Sequence, residues 1–162
     1  MSELPLEARI QKLEDIEAIR QLKYRYCLAC DDNYNPDALA PLFAENAVWD
    51  GGLLGQAEGR EAIRTFFAAA STAVPFALHY VTNPIIEVSG NEAKGNWLLW
   101  EPMTFATAAG KQGIWHSASY NDAYIKQGGQ WLFQRVKINI ELLSPVGNNF
   151  GEVPIVDPQG SQ

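Results

Sequence analysis

Apolar residues Ile16, Ile19, Leu22, Tyr26 and Cys30 recur at steps of three, three, four and four, the spacing of one buried helical stripe. Glu14, Glu17, Gln21 and Arg25 keep the same rhythm on another side, as a solvated face does. The pattern predicts a long helix over residues 5–31. It stops at Asp31-Asp32-Asn33-Tyr34-Asn35-Pro36, where turn formers and a proline end a helix. Asn35 as N-cap and Pro36 at the first helical position then predict a short second helix, with Leu39, Leu42 and Phe43 as its apolar face. Ala47-Val48-Trp49-Asp50 reads as a short strand, and the glycine-rich segment 51–59 as a loop. That loop has neither the Lys-Ser/Thr of a P-loop nor the spacing of a dinucleotide turn. A third helix is expected from Arg60 to about Ala70, with Ile63, Phe66 and Phe67 inward.

After Pro75 the period changes from helical to alternating. Strands are expected over residues 76–88, 93–107, 112–125 and 130–143, separated by turns at Ser89-Gly90-Asn91-Glu92, Ala108-Ala109-Gly110-Lys111 and Lys126-Gln127-Gly128-Gly129. In the last strand, strict alternation puts Trp131, Phe133, Arg135, Lys137, Asn139 and Glu141 on one face. Leu132, Gln134, Val136, Ile138, Ile140 and Leu142 fall on the other. Aromatics on the more polar face imply a covering surface, such as a second subunit. Residues 1–143 thus read as a single domain. Residues 144–162, rich in Pro, Gly and Asn but holding Phe150, Val153, Ile155 and Val156, read as an irregular C-terminal arm. Three helices followed by consecutive strands give an α+β class.

Composition narrows the function classes. Hydrophobic residues make up 47% and aromatics 11% of 162 residues, enough for one real core. A net charge of −7 with no basic cluster makes nucleic acid and anionic membrane poor partners, and no apolar run is long enough to span a bilayer. No secretory signal is visible at Met1-Ser2-Glu3-Leu4-Pro5, so a cytoplasmic location is expected. Cys27 and Cys30 form a C-x-x-C at the end of a helix rather than its start, on or beside the buried stripe. They read as core thiols, with no second ligand pair to make a zinc site. No metal and no cofactor are expected.

The candidate chemistry lies with acids and histidines. Asp31 falls at a helix C-terminus, where the macrodipole disfavours an anion, so its carboxylate needs a compensating partner. There are two histidines, His79 and His116. His79 opens a strand-like segment, and His116, between Trp115 and Ser117, reads as a structural or surface histidine without an evident acidic partner.

The markers Ile19-Arg20 through Tyr26, Ala38 through Trp49, Gly59-Arg60-Glu61-Ala62-Ile63 and Gly129-Gln130-Trp131-Leu132-Phe133 occur in an order that resembles the SnoaL-like group. That group belongs to the nuclear-transport-factor-2-like (cystatin-like) superfamily. The resemblance covers roughly residues 8–143. It implies three N-terminal helices packed on a curved, mostly antiparallel sheet, forming a cone with an interior pocket. Within the group the chain looks most like the bile-acid dehydratase, scytalone dehydratase and hexachlorocyclohexane dehydrochlorinase lyases. Tyr26, Asp31 and Leu78-His79-Tyr80-Val81-Thr82-Asn83 carry that likeness. By resemblance, Asp31 and His79 form an Asp–His dyad and Tyr26 is the pocket tyrosine. Asp32 is the alternative acid, and Arg135 the nearest candidate for an arginine that some of these lyases use.

An imidazole beside a carboxylate suits proton abstraction near neutral pH. The expected activity is therefore a cofactor-independent lyase or isomerase acting on a small apolar or aromatic, even polycyclic, molecule. Trp49, Phe67, Trp97, Trp115 and Tyr120 are candidate substrate-binding residues of its pocket, and a homodimer or homotrimer is expected. Two other functions suit the same fold: a non-catalytic ligand-binding module, and a small subunit supporting a ring-hydroxylating dioxygenase. An Asp-Arg-Asp set like that of epoxide-hydrolase relatives would have to draw on Asp50 or Asp122.

Overall fold

The computed structural model describes residues 5–147. The first helix, α1, runs over Leu6–Asp31 and buries Ile19, Leu22, Tyr26, Cys27 and Cys30. The buried stripe is wider than the apolar pattern, because Asp15 and Lys23 lie on it too. Helix α2, Pro36–Leu39, is capped by the Asn35 side chain, which accepts from the N–H groups of Asp37 and Ala38. It is shorter than expected. Pro41 lacks an N–H, the chain tightens into a 3-10 turn over Ala40–Leu42, and Phe43 begins strand β1, Phe43–Asp50, instead of closing a helix. The segment expected as plain loop holds a 3-10 turn at Gly52–Leu54 and a short strand, β2, Gln56–Glu58. Helix α3 covers Arg60–Ala73 with Ile63 and Phe67 buried.

Strands β3 (Phe76–Ala77), β4 (Tyr80–Ser89), β5 (Glu92–Thr107), β6 (Gly110–Gln127) and β7 (Gln130–Pro145) complete a seven-stranded sheet. Its order is β2-β1-β7-β6-β5-β3, with β4 also on β5. β1 and β7 pair in parallel and every other pair is antiparallel. The helices pack on the concave side, so the fold is α+β as the pattern implied. No described helix is long and apolar enough to cross a membrane.

Two features depart from the expected strands. The single strand expected over 76–88 is two strands, both paired with β5, and His79 lies in the gap between them. Asn83, at φ 51°, lies in a second irregularity between Thr82 and Ile85. The last strand does not alternate strictly either. Its register on β6 slips between Ala123 and Tyr124 and again between Ser117 and Ala118. An extra residue reverses the facing of everything beyond it. Trp131 and Phe133 therefore point inward with Val136 and Ile138, and the polar face needs no cover on their account. The last strand also reaches Pro145, two residues into the expected arm, while Phe150, Val153, Ile155 and Val156 lie outside the described residues.

Two carboxylates pin α1 to the sheet. Near its start, Asp15 accepts from Lys126 Nζ at 2.7 Å and Trp131 Nε1 at 2.8 Å. At its end, Asp31 reaches His79. Between them Lys23, fully buried, is paired with buried Asp122 at 2.8 Å, and Tyr124 donates to the same carboxylate at 3.0 Å.

Candidate active site

Between α3, the sheet and the end of α1 lies a cavity of about 540 Å3. Its exposed rim is mostly apolar, with Leu53, Ala69, Ala73 and Ala106 beside Thr65, and Leu54, Ala70 and Val74 half-buried in the lining. Tyr26, Tyr34, His79, Glu101 and Tyr120 are the hydroxyl, imidazole and carboxylate groups of its wall, together with Thr65.

His79 is held by its place in the strand gap. Without a full sheet partner there, its backbone N–H donates to Asp31 Oδ1 at 2.9 Å, and the same oxygen lies 2.8 Å from the ring Nδ1. One carboxylate oxygen thus satisfies the backbone and orients the ring. The other ring nitrogen, Nε2, lies 3.3 Å from Glu101 Oε1, close enough for an ion pair but not aligned as a hydrogen bond. Glu101 in turn takes a 2.6 Å contact from His116 Nδ1 through Oε2. The four groups form a line, Asp31–His79–Glu101–His116. His79 and Glu101 face the cavity, while Asp31 and His116 stand behind them.

Burial alone would lower the His79 pKa, but the charge of Glu101, with the hydrogen bond and charge of Asp31, outweighs it and raises it. For Glu101 burial would raise the carboxyl, and the charge of His79 with the His116 hydrogen bond holds it below its ordinary value. The line does not converge on a point, and among the described residues no group of three or more His, Cys, Asp or Glu is placed to hold a metal.

The other sequence candidates divide. Tyr26, Trp49, Phe67 and Tyr120 line the cavity. Tyr26 is buried, accepts a hydrogen bond from Trp49 Nε1 at 2.9 Å, and its phenol is pushed well up by burial. Trp97 and Trp115 do not line it. Trp97 points inward but beyond the cavity, donating to Tyr124 Oη at 3.0 Å. Trp115 points outward, because its neighbour His116 takes the inward position, and stacks on Trp100 with centroids 5.4 Å apart. Asp32 is exposed and bonds Asn35 rather than His79. Arg135 is on the outer side, 3.1 Å from Asp50, which also pairs with Lys137 at 2.8 Å. Asp122 sits in the core with Lys23, so Asp50, Arg135 and Asp122 form no common site.

Sequence reasoning missed Tyr34 and Glu101, which is the acidic partner of His116. Counting along the β5–β6 hairpin finds Glu101. A two-residue turn at Ala108-Ala109 sets Thr107 opposite Gly110, and six pairs back Glu101 faces His116. Tyr34 follows Asn33 in an unusual turn, both at φ 53°. The Tyr34 amide bonds to Cys30 O at 2.9 Å. The turn lays the Tyr34 ring flat on Phe67 and edge-on to His79, with centroids 6.0 and 6.2 Å away.

Residues 11–137 match the SnoaL-like domain family. The chain belongs to that family. Among solved structures it is similar to Rv3472, a protein of unknown function from Mycobacterium tuberculosis, at 29% identity and a TM-score of 0.68, covering 82% of this chain and 75% of that one. A protein from Novosphingobium aromaticivorans provisionally named scytalone dehydratase shares 23% identity at a TM-score of 0.71, with 85% and 97% covered. Hexachlorocyclohexane dehydrochlorinase LinA-type3 from Novosphingobium barchaimii shares 21% at 0.76, with 87% and 96% covered. At such identities the last two establish a shared fold.

Proposed function

We propose that this SnoaL-like protein is a cofactor-independent lyase that eliminates water or a comparable leaving group from a small apolar molecule. The observation that carries the reading is His79, oriented at Nδ1 by Asp31 in the wall of a mostly apolar cavity, with Nε2 beside Glu101 at 3.3 Å. In its neutral form Nε2 takes a proton from a carbon next to an electron-withdrawing group. The C–H pair becomes the new double bond and the leaving group departs with its own pair. The imidazolium so formed lies between two carboxylates, which stabilise it. It then returns the proton to a departing hydroxide, releasing water. Tyr26, whose hydroxyl oxygen already accepts from Trp49, keeps its own hydrogen for an oxygen of the substrate.

The apolar mouth and the aromatic walls favour an aromatic or polycyclic substrate. We also propose a homodimer or homotrimer, now on a different basis: the outer sheet face exposes Leu98, Trp100 and Tyr80. A cytoplasmic location belongs to the same proposal and fits two free, buried cysteines.

The test is a double-mutant cycle on cyclic β-hydroxyketones, followed by ultraviolet absorption of the conjugated product. Asp31→Asn and His79→Ala should each cost on the order of 100-fold or more. The double variant should be little worse than His79→Ala, because the residues act as a unit. Circular dichroism controls for folding. Folded, fully active single variants would sink the proposal, and ligand binding without turnover on any substrate would favour a binding module.

A further inference from the structure

We propose that the Tyr120 hydroxyl, unpaired in the cavity wall, is a second hydrogen-bond donor beside Tyr26, and that it selects ligands carrying an acceptor oxygen such as a ketone. The inference rests on the cavity being a small-molecule site and adds a specificity-determining residue to it.

Tyr120 is on β6, where alternation points Ala118, Tyr120, Asp122 and Tyr124 inward. Its ring is fully buried and lines the cavity. Two other buried phenols around it are paired. Tyr26 accepts from Trp49 at 2.9 Å, and Tyr124 bridges Trp97 and Asp122, each at 3.0 Å. The Tyr120 hydroxyl alone of these three has no partner among the described residues. A buried hydroxyl left unpaired weakens the fold, so such a group calls for an occupant or another explanation.

The ring is also fixed and polarised. Lys23 Nζ lies 3.1 Å from its centroid and is itself anchored by Asp122 at 2.8 Å. Tyr26 meets the ring edge-on, with centroids 6.5 Å apart. A cation against the face draws electron density from the ring, which makes the O–H a better donor than acceptor. Burial, reinforced by the nearby Tyr26, Cys27, Glu101 and Cys30, pushes the phenol well above its ordinary pKa, so the proton stays in place. The result is a neutral, immobile donor in the cavity wall. The hydroxyl is fully covered, so a ligand oxygen reaches it once a neighbouring side chain gives way, and then gains a hydrogen bond to a donor that is already fixed.

The experiment compares 1-tetralone with tetralin, which lacks the ketone oxygen, by quenching of tryptophan fluorescence, since Trp49 lines the cavity. The probe proteins are the full-length chain and Tyr120→Phe, which keeps the ring and its contact with Lys23. The ratio of tetralin to tetralone dissociation constants should fall roughly 3- to 10-fold in the variant, the range expected for one net hydrogen bond. Tetralin affinity should hardly change. In the absence of ligand the variant should melt at a higher temperature than the parent, because the unpaired hydroxyl is gone. An unchanged ratio, a lowered melting temperature, or failure of both probes to bind the parent protein would each overturn the inference. No turnover is needed for these readouts. A Tyr120 effect on binding in a protein without lyase activity would therefore refute the proposed reaction and leave this inference standing.

Discussion

Replacing Lys23 by methionine isolates the Lys–Asp pair that is fully buried on both sides. Methionine keeps most of the unbranched stem and removes the ammonium group, with its charge and its hydrogen bond to Asp122. Lys23 and Asp122 are both fully shielded, 2.8 Å apart, and the same carboxylate oxygen also accepts from Tyr124 at 3.0 Å. Deleting the cation leaves a buried carboxylate with one neutral donor, and breaking a buried pair from one side costs about 3–5 kcal/mol. For a domain of this size each kcal/mol moves the melting temperature by roughly 2–4 °C. The variant should thus melt about 6–20 °C below the parent at neutral pH. The loss should also depend on pH in a stated direction. Burial already raises the Asp122 carboxyl, with Lys23 and Tyr124 opposing that rise. Without Lys23 the native-state pKa climbs further above the unfolded value. The native state then takes up a proton before the unfolded state does, and the variant regains stability as pH falls through that raised pKa towards the unfolded one. Urea titrations at several pH values between neutral and mildly acid would read this directly. Substituting Asp122→Leu on top of Lys23→Met should recover most of the loss, short of the hydrogen bond from Tyr124. A single-variant loss below about 1 kcal/mol, or one that does not shrink on acidification, would refute the reasoning.

Two further outcomes concern His79 and the buried thiols. Because Glu101 and Asp31 raise the His79 pKa, kcat/KM for elimination should increase as pH rises through it, and Glu101→Gln should move that limb to lower pH; a limb that stays put would separate Glu101 from His79. Burial pushes the Cys27 thiol to about 12 and Cys30 well above its usual value, so neither should react with iodoacetamide at pH 8 until the protein unfolds, as mass spectrometry can check.

The parts of this molecule that could be read from its sequence are those written in local spacing. The α1 stripe, the Asn35-Pro36 start of α2 and the turns at Ser89-Gly90 and Gly128-Gly129 needed only near neighbours. What escaped depends on distant pairing. Lys23 carries no local sign of burial, because its partner is 99 positions away, on β6. Trp131 and Phe133 went to the wrong face because the slip that turns them inward belongs to their pairing with β6 and leaves no mark in the alternation itself. Asp31 and His79 were singled out together through family resemblance. Their separation of 48 residues carries no periodic signal. His116 shows the limit most clearly: its acidic partner sits across a hairpin whose register had to be counted to the residue.

The two carboxylates that fasten α1 bear on how a ligand enters. Asp15 ties the front of the helix to Lys126 and Trp131, and Asp31 ties its end to His79. A helix riveted at both ends cannot swing aside without breaking charge-assisted bonds at one of them. The opposite rim is fastened at the front of α3, where Arg60 donates to the Phe43 carbonyl at 2.8 Å and Arg64 pairs with Asp37. Further along, α3 presents Ala69, Ala70 and Ala73, side chains too short to interlock with what they face, beside Leu53 and Leu54. Breathing at the mouth therefore falls to the rear half of α3 and the 52–54 turn, while α1 with Asp31 and the front of α3 stay fixed. Widening or narrowing that alanine rim would retune which molecules get in, and how fast, without disturbing the groups that meet them inside.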